Sequence, residues 1–308
     1  MTSIMTNPSA MTALASLQAT NRALEATQNR ISTGYRVAEA SDNAAYWSIA
    51  TTMRSDNKAL STVRDALGLG AAKVDTAYTA MDSAIDVVDE IKAKLVAARE
   101  PGVDKSKVQS EITQLQQQLI GIGGSASFSG ENWLSVDSSA AGYTTVKQIV
   151  ASFTRGASGT VTIGTLQIDI DGLKLFDAND QSGILDTQST TTNGGVVYSV
   201  STLDISALTN SANDLADLDE LILTVDGALQ DMASAASDLG AAKSRIAMQL
   251  DFASDLMDAI ERGVGTLVDA DMNEESTRLQ ALQVQQQLGI QALSIANAGV
   301  QGVMKLFQ

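Results

Sequence analysis

The sequence predicts a mainly α protein, with long antiparallel helical arms entering from both chain ends and a small β-rich insert between them. Three observations carry this. One stripe of residues recurs every three or four positions through Leu218, Ile222, Val225, Leu229, Met232, Ala236, Leu239, Lys243, Ile246, Leu250, Ala253, Met257, Ile260, Val264 and Leu267, and only Lys243 breaks its apolar run. A second stripe runs through Leu60, Val63, Leu67, Gly70, Val74, Ala77, Met81, Ala84, Val88, Ile91, Leu95 and Ala98. Between them, from Ser135 to Thr209, the composition turns to Gly, Ser, Thr and Asp with short β-branched runs. Heptad spacing sustained over about seven repeats marks a helix packed along its length. At about 1.5 Å per residue the later stripe spans roughly 75 Å.

The first helix starts at Asn7-Pro8, Asn as N-cap and Pro at the first helical position. It carries Leu14, Leu17, Asn21, Leu24, Gln28 and Ile31 on one heptad face and stops at Gly34. Polar Asn21 and Gln28 in that seam can specify a partner or a register, or else simply face solvent. A connector, Tyr35 to Asp42, leads to the second helix, which Pro101-Gly102 ends. A shorter helix carries Val108, Ile112, Leu115, Leu119 and Ile122 and ends in the cluster Gly121 to Gly130.

Within the insert, Thr145–Phe153, Thr160–Ile163, Leu166–Ile170 and Val196–Val200 read as strands. Asp171-Gly172 reads as a hairpin turn into Leu173–Phe176. Asn193-Gly194-Gly195 reads as an exposed turn that accepts inserted residues. The long returning stripe gives way near Gly263 and Gly265, which read as a hinge. The last helix opens with Asp271 and Glu274 in a capping-box spacing, and its seam is Leu279, Leu282, Gln286, Gly289, Leu293, Ala296, Val300 and Val303. The terminal helices share one pattern and read as antiparallel partners. Both are rich in Ala, Gln and Asn, while ordering each residue costs about 1–2 kcal/mol of backbone entropy. The expectation is a pair that is loose alone and ordered in a polymer.

Composition narrows the function classes. The chain has 308 residues, 44% hydrophobic but only 4% aromatic, with two prolines and a formal net charge of -16. An acidic surface disfavours nucleic acid, whose phosphates are met mainly by Lys and Arg. With no Cys and no His, disulfides, thiol nucleophiles and His-based acid–base chemistry are excluded. No cofactor and no metal are expected. Asp177, Asn179 and Gln181 have calcium-loop spacing, but the turn glycine and the closing Glu are missing, so a polar turn is the better reading. Met1 to Met11 does not read as a Sec-type signal peptide. No stretch reaches about 18 consecutive apolar residues, so no membrane insertion is expected. These features point to assembly rather than to catalysis.

Four motifs in chain order resemble bacterial flagellin. They are Ile31-Ser32-Thr33-Gly34-Tyr35-Arg36 with Ala40-Ser41-Asp42-Asn43-Ala44-Ala45; Phe128-Ser129-Gly130; Leu239-Gly240-Ala241-Ala242-Lys243-Ser244-Arg245-Ile246; and a C-terminal set that includes Asp269, Asp271, Glu275, Gln286, Gly289, Leu293, Asn297, Val303 and Leu306. The resemblance implies a subunit that polymerises helically into the flagellar filament for swimming, secreted through the flagellar type III apparatus to the cell exterior. It implies five regions. Residues 1–43 form an inner-tube (D0) helix and connector, and 44–134 are D1 helices. Residues 135–210 are a variable outer insert, 211–262 the returning D1 helix, and 263–308 a connector and second D0 helix. The implied partners are copies of itself and other flagellins, an export chaperone at the C-terminal helix, the filament cap and hook-associated proteins. The implied polymerisation seam comprises Leu14 to Ile31 as given above, with Leu282, Gln286, Leu293, Ala296, Val300 and Val303. Asn43 departs from the family's second Asp, Tyr46-Trp47 are bulky where many members are small, and Thr266 replaces a usual Arg. These departures are similar to alphaproteobacterial flagellins. Other readings are a hook–filament junction protein of the same family and a cytoplasmic helical signalling rod.

Overall fold

The computed structural model describes residues 7–156 and 158–305, with side chains in the last helix described as far as Ala298. In chain order the elements are α1 (Pro8–Thr33), α2 (Ala44–Ala98), α3 (Lys105–Ser125), β1 (Ser127–Phe128), β2 (Glu131–Asn132), β3 (Ser135–Val136), β4 (Val146–Arg155), β5 (Val161–Asp169), β6 (Phe176–Asp177), β7 (Ser189–Thr190), β8 (Val197–Tyr198), α4 (Ala212–Val268) and α5 (Met272–Lys305). Two compact units divide them. One combines the chain ends, up to Lys58 and from Met257, and the other is Ala59–Leu256.

The larger unit is built on α2. Every residue of its stripe from Leu60 to Ala98 is buried. On α4 the buried line is Leu218, Leu221, Val225, Ala228, Met232, Ala235, Leu239, Ala242 and Ile246, a strict alternation of three and four. Ile222, Leu229 and Ala236 flank that line and are half-buried. Ala242 takes the core position next to Lys243, which explains the one polar break in the stripe. The Lys243 ammonium stands outside, pairs with Asp75 and lies 5.6 Å from the centre of the Tyr78 ring.

The insert shares this core rather than standing apart from it. Ile149, Ile170, Leu175, Leu185, Leu203 and Ile205 belong to the same buried cluster as the helices. Gly70 makes the close approach possible, since a Cβ there would lie 2.6 Å from Ile149 Cγ2. Polar ties from α3 hold the return path. Gln116 Nε2 donates to the Val200 and Leu203 carbonyls at 3.1 Å each, and Gln109 Oε1 accepts from Ile205 N–H at 3.0 Å.

Several local expectations are corrected in the insert. Thr160–Ile163 and Leu166–Ile170 are not two strands: β5 is continuous and pairs antiparallel with β4, which carries a bulge between Val150 and Ser152. Asp171-Gly172 does not turn a hairpin, because β6 pairs in parallel with β3. Asp177 is fully buried and accepts from Ser138 N–H and Oγ, Asn179 N–H, Ser182 Oγ and Lys174 Nζ. Burial works against its charge, but these donors hold its carboxyl well below the usual range. Its lone pairs are spent on the turn, and no group able to hold a metal ion occurs among the described residues. Asn193–Gly195 is an exposed turn, as read from the sequence, but a tethered one. Buried Asp217 accepts from Asn193 N–H (3.1 Å), Asn193 Nδ2 (3.0 Å) and Gly194 N–H (2.9 Å).

The expected helix break at Gly263 and Gly265 is absent: α4 runs through both to Val268. A mid-helix glycine costs only about 1 kcal/mol relative to alanine, and packing overrides it. Both glycines serve close approach. A Cβ at Gly263 would lie 3.2 Å from Met53 Cε, and one at Gly265 2.7 Å from Asp269 Oδ2.

Candidate assembly surface

The smaller unit holds the terminal helices and the two connectors. Asn7 caps α1, accepting from Ala10 N–H at 3.1 Å, and its Nδ2 donates to the Ala296 carbonyl of α5 at 3.0 Å. At the other end Gly34, at φ +75°, donates its N–H to the Arg30 carbonyl. A side chain there would strain the left-handed turn.

Beyond Gly34 the two connectors pair. Tyr35 and Asp269 form an antiparallel bridge, and Ala270 N–H donates to Gly34 O at 2.9 Å. Arg36 and Val37 both donate their N–H to Val268 O. The Arg36 guanidinium donates to Leu267 O at 3.0 Å, placing positive charge on the last carbonyls of α4. Thr266 contributes its carbonyl to the same contact at 3.5 Å. Asp42 accepts from Ala38 and Glu39 N–H, and Asn43 caps α2 through Ala45 and Tyr46 N–H. Beneath the bridge Val37, Ala50, Val264 and Val268 make a small core. This is a built joint with its own apolar centre, so the hinge expected at Gly263 and Gly265 is better described as a latch at residues 34–43 and 268–271.

Asp271 caps α5, accepting from Asn273 and Glu274 N–H. Glu274 does not complete the capping box, because it pairs with Arg278 at 2.8 Å. Glu275 turns inward instead. Only 4% exposed, it takes the Arg30 guanidinium at 3.1 Å and that of Arg278 at 3.4 Å.

Along the α1–α5 seam Leu17, Asn21, Leu24 and Ile31 are half-buried, as are Leu279, Leu282, Gln286, Leu293 and Ala296. Gln286 Nε2 donates to Asn21 Oδ1 at 2.8 Å, and Leu17 Cδ1 lies 3.2 Å from where a Gly289 Cβ would stand. Leu14 and Gln28 are exposed, and Ala13 and buried Thr27 hold the inward positions beside them. A straight helix of 3.6 residues per turn drifts from a seven-residue pattern, so one residue per few turns is misassigned. Val300, Val303 and Leu306 lie outside the described side chains. Of the remaining motif residues, Ser32, Arg245 and Asn297 are exposed, Leu239 is fully buried and Gly240 lies against the Tyr78 ring. Arg30, Thr27 and Val37 are members of this surface that pattern reading left without a role, and Glu275 stands there only as a motif residue without a partner. The Arg30–Glu275 pair spans 245 positions, and no local signal links its partners.

Half-burial is the informative property. The pair covers one face of each helix and leaves apolar side chains outside: Met11 and Leu14 on α1, and Val284, Leu288 and Ile295 on α5. Tyr46, Trp47 and Ile49 are exposed at the start of α2, and Met248 and Phe252 one turn apart on α4. Exposed apolar side chains grouped in this way are candidates for contact with another surface. No helix of the described residues is long and apolar enough to cross a membrane.

Comparison with known proteins agrees with this arrangement. The bacterial flagellin N-terminal helical region matches residues 4–139, and the C-terminal helical region matches residues 222–307. The chain is 56% identical over 324 aligned positions to Flagellin C of Rhizobium meliloti (strain 1021), and 47% identical over 397 positions to Flagellin A of Rhizobium meliloti. It is 47% identical over 309 positions to a flagellin of Brucella melitensis biotype 1, and all three alignments cover 100% of both chains. A solved structure described as a flagellar hook-associated protein from Vibrio parahaemolyticus shares the fold, with a TM-score of 0.53 and 14% identity over 74% of this chain and 100% of that one. Matched at both helical ends, and aligned throughout with flagellins of other bacteria, this chain belongs to the bacterial flagellin family.

Proposed function

We propose that the terminal helix pair is the element through which this flagellin polymerises. The chain is a structural subunit of the flagellar filament. In this reading α1 and α5 line the inner tube (D0), while α2, α3 and α4 form the surrounding D1 layer and residues 135–210 face outward. The observation that carries it is the set of apolar side chains that the pair leaves exposed, Val284, Leu288 and Ile295 on α5 and Met11 and Leu14 on α1. At about 25 cal/mol per Å² of apolar surface, covering such side chains with neighbouring copies offsets the ordering entropy that a single pair of half-buried helices recovers poorly.

The finer expectations belong to the same proposal. The subunit is exported through the flagellar type III apparatus and acts outside the cell. Its C-terminal helix, apolar on two faces, is the segment an export chaperone covers before assembly. Filament cap and hook-associated proteins meet the same termini at the two ends of the polymer, alongside further copies and other flagellins. The hook–filament junction reading has only a likeness of fold behind it. A signalling rod would need a helical hairpin tip where this chain carries β strands. Adding short sonicated filament seeds to the purified subunit tests the reading. Seed elongation supports it, and subunits that stay monomeric over a range of seed concentrations contradict it.

A further inference from the structure

We propose that two polar contacts, Asn21–Gln286 and Arg30–Glu275, act as register pins that select one alignment of the terminal helix pair. The apolar residues of the seam do not select it. Leu17 sits on Gly289, which puts Leu24 at the level of Leu282 and Ala13 at that of Leu293. Slide α5 by one heptad and Leu17 meets Ala296, Leu24 meets Gly289, and Ile31 meets Leu282. Slide it the other way and Ala10 meets Gly289 while Leu17 meets Leu282. Each alternative still sets apolar side chains against small or apolar ones, as expected of Ala-rich heptads.

The polar groups distinguish these alignments. In the observed register Gln286 Nε2 donates to Asn21 Oδ1 at 2.8 Å inside the seam. Glu275, 4% exposed, turns one carboxylate oxygen to Arg30 of α1 at 3.1 Å and to Arg278 of its own helix at 3.4 Å. In the first slip Gln286 reaches the level of Gln28, but Asn21 faces Leu293 and Glu275 runs past the end of α1. In the second, Asn21 faces Leu279, Gln286 faces Leu14, and Glu275 is set beside Ala23, parted from Arg30 and left with Arg278 of its own helix. Half-buried amides set against leucine and a buried carboxylate parted from Arg30 cost more than a lost apolar contact does, and along the helices these pins hold the alignment that the connector latch starts. Asn7 adds a third tie at the far end through the Ala296 carbonyl. The pins deepen the reading of α1 and α5 as the assembling pair, because every copy must present Leu288 and Ile295 at the same height to its neighbours.

The absence of native Cys makes the test direct. Leu17 Cβ lies 3.8 Å from the Cβ position of Gly289, the usual spacing across a disulfide. Leu17→Cys/Gly289→Cys therefore reports the observed register, while Leu24→Cys/Gly289→Cys and Ala10→Cys/Gly289→Cys report the two slips. Copper–phenanthroline oxidation is scored on free subunits and on seeded filaments. With the pins intact, only the first pair crosslinks. In the Asn21→Leu/Gln286→Leu/Glu275→Leu background, a slip reporter rises at least tenfold while circular dichroism stays helical. Slip reporters that stay at their starting level, with the native reporter still complete, overturn the pins. Failure of the native reporter in both preparations overturns the pairing and the pins with it. Seeds that do not elongate although the native crosslink forms count against the assembly reading alone.

Discussion

Replacing Leu24 by Asp separates assembly from the stability of the long-helix core. Leu24 is half-buried between α1 and α5, near Leu282. Losing about half the burial of a leucine removes about 1 kcal/mol. A carboxylate with no cation beside it in the seam costs about 1–2 kcal/mol more. Asp in a helix interior adds about 0.5 kcal/mol. The terminal pair is thus weakened by about 3 kcal/mol, roughly a hundredfold in the paired population. The core cluster of the larger unit runs from Val63 to Ile246 and contains no residue of α1, so its melting is expected to move by less than about 0.5 kcal/mol. Thermal melts by circular dichroism and seeded elongation by light scattering read the two effects. Elongation falls to background while the main melting transition stays in place. A main transition that drops in step with elongation would refute the reasoning, since helix α1 would then belong to the core.

Three further outcomes are expected. Truncation after Leu293 removes the Asn7–Ala296 tie and the last described turn of the seam, so the product stays helical by circular dichroism but does not extend seeds. Glu131 bridges Lys73 (2.6 Å) and Lys147 (2.9 Å); burial opposes its charge, but the two ammonium groups overcome this and hold its carboxyl at about 2. Its folded pKa lies below its unfolded one, so this contribution is complete above the ordinary Glu range and is lost as pH falls through about 2. Discounted for partial exposure it is about 1 kcal/mol, and Glu131→Gln should remove the corresponding part of the acid dependence in urea melts from about pH 5 down to about 2. Residues inserted between Ser158 and Gly159, at the exposed tip of the β4–β5 hairpin, leave melting and elongation unchanged; the same insertion between Asn193 and Gly194 unseats the donors of buried Asp217 and costs about 2–3 kcal/mol, read by chemical denaturation.

Periodicity made most of this fold legible. A stripe such as Leu60–Ala98 can be read without any partner in view because each position demands the same thing, burial. Caps were legible for a similar reason: Asn7, Gly34 and Asp271 act on backbone groups within a few residues. Where the outcome depends on a distant partner, the local signal fails. Asp171-Gly172 looks like a hairpin turn, but β6 is claimed by β3 some forty residues earlier, on the scale where chain topology decides pairing. Gly263 and Gly265 look like breakers, but Met53 and Asp269 require space there. Leu14 and Ala13 differ by one position, which heptad counting cannot separate once helical drift accumulates. Arg30 and Glu275 meet only after the whole chain has folded back, so their pairing could be seen only in three dimensions.

The central claim is that α1 and α5 assemble together as the inner wall of a helical polymer. Electron cryomicroscopy of filaments grown from the purified subunit tests it most directly. The account predicts a tube whose innermost layer is the α1–α5 pair, with Leu288 and Ile295 buried against neighbouring copies. Filaments in which that pair lies on the outer surface, with those side chains in solvent, would contradict it.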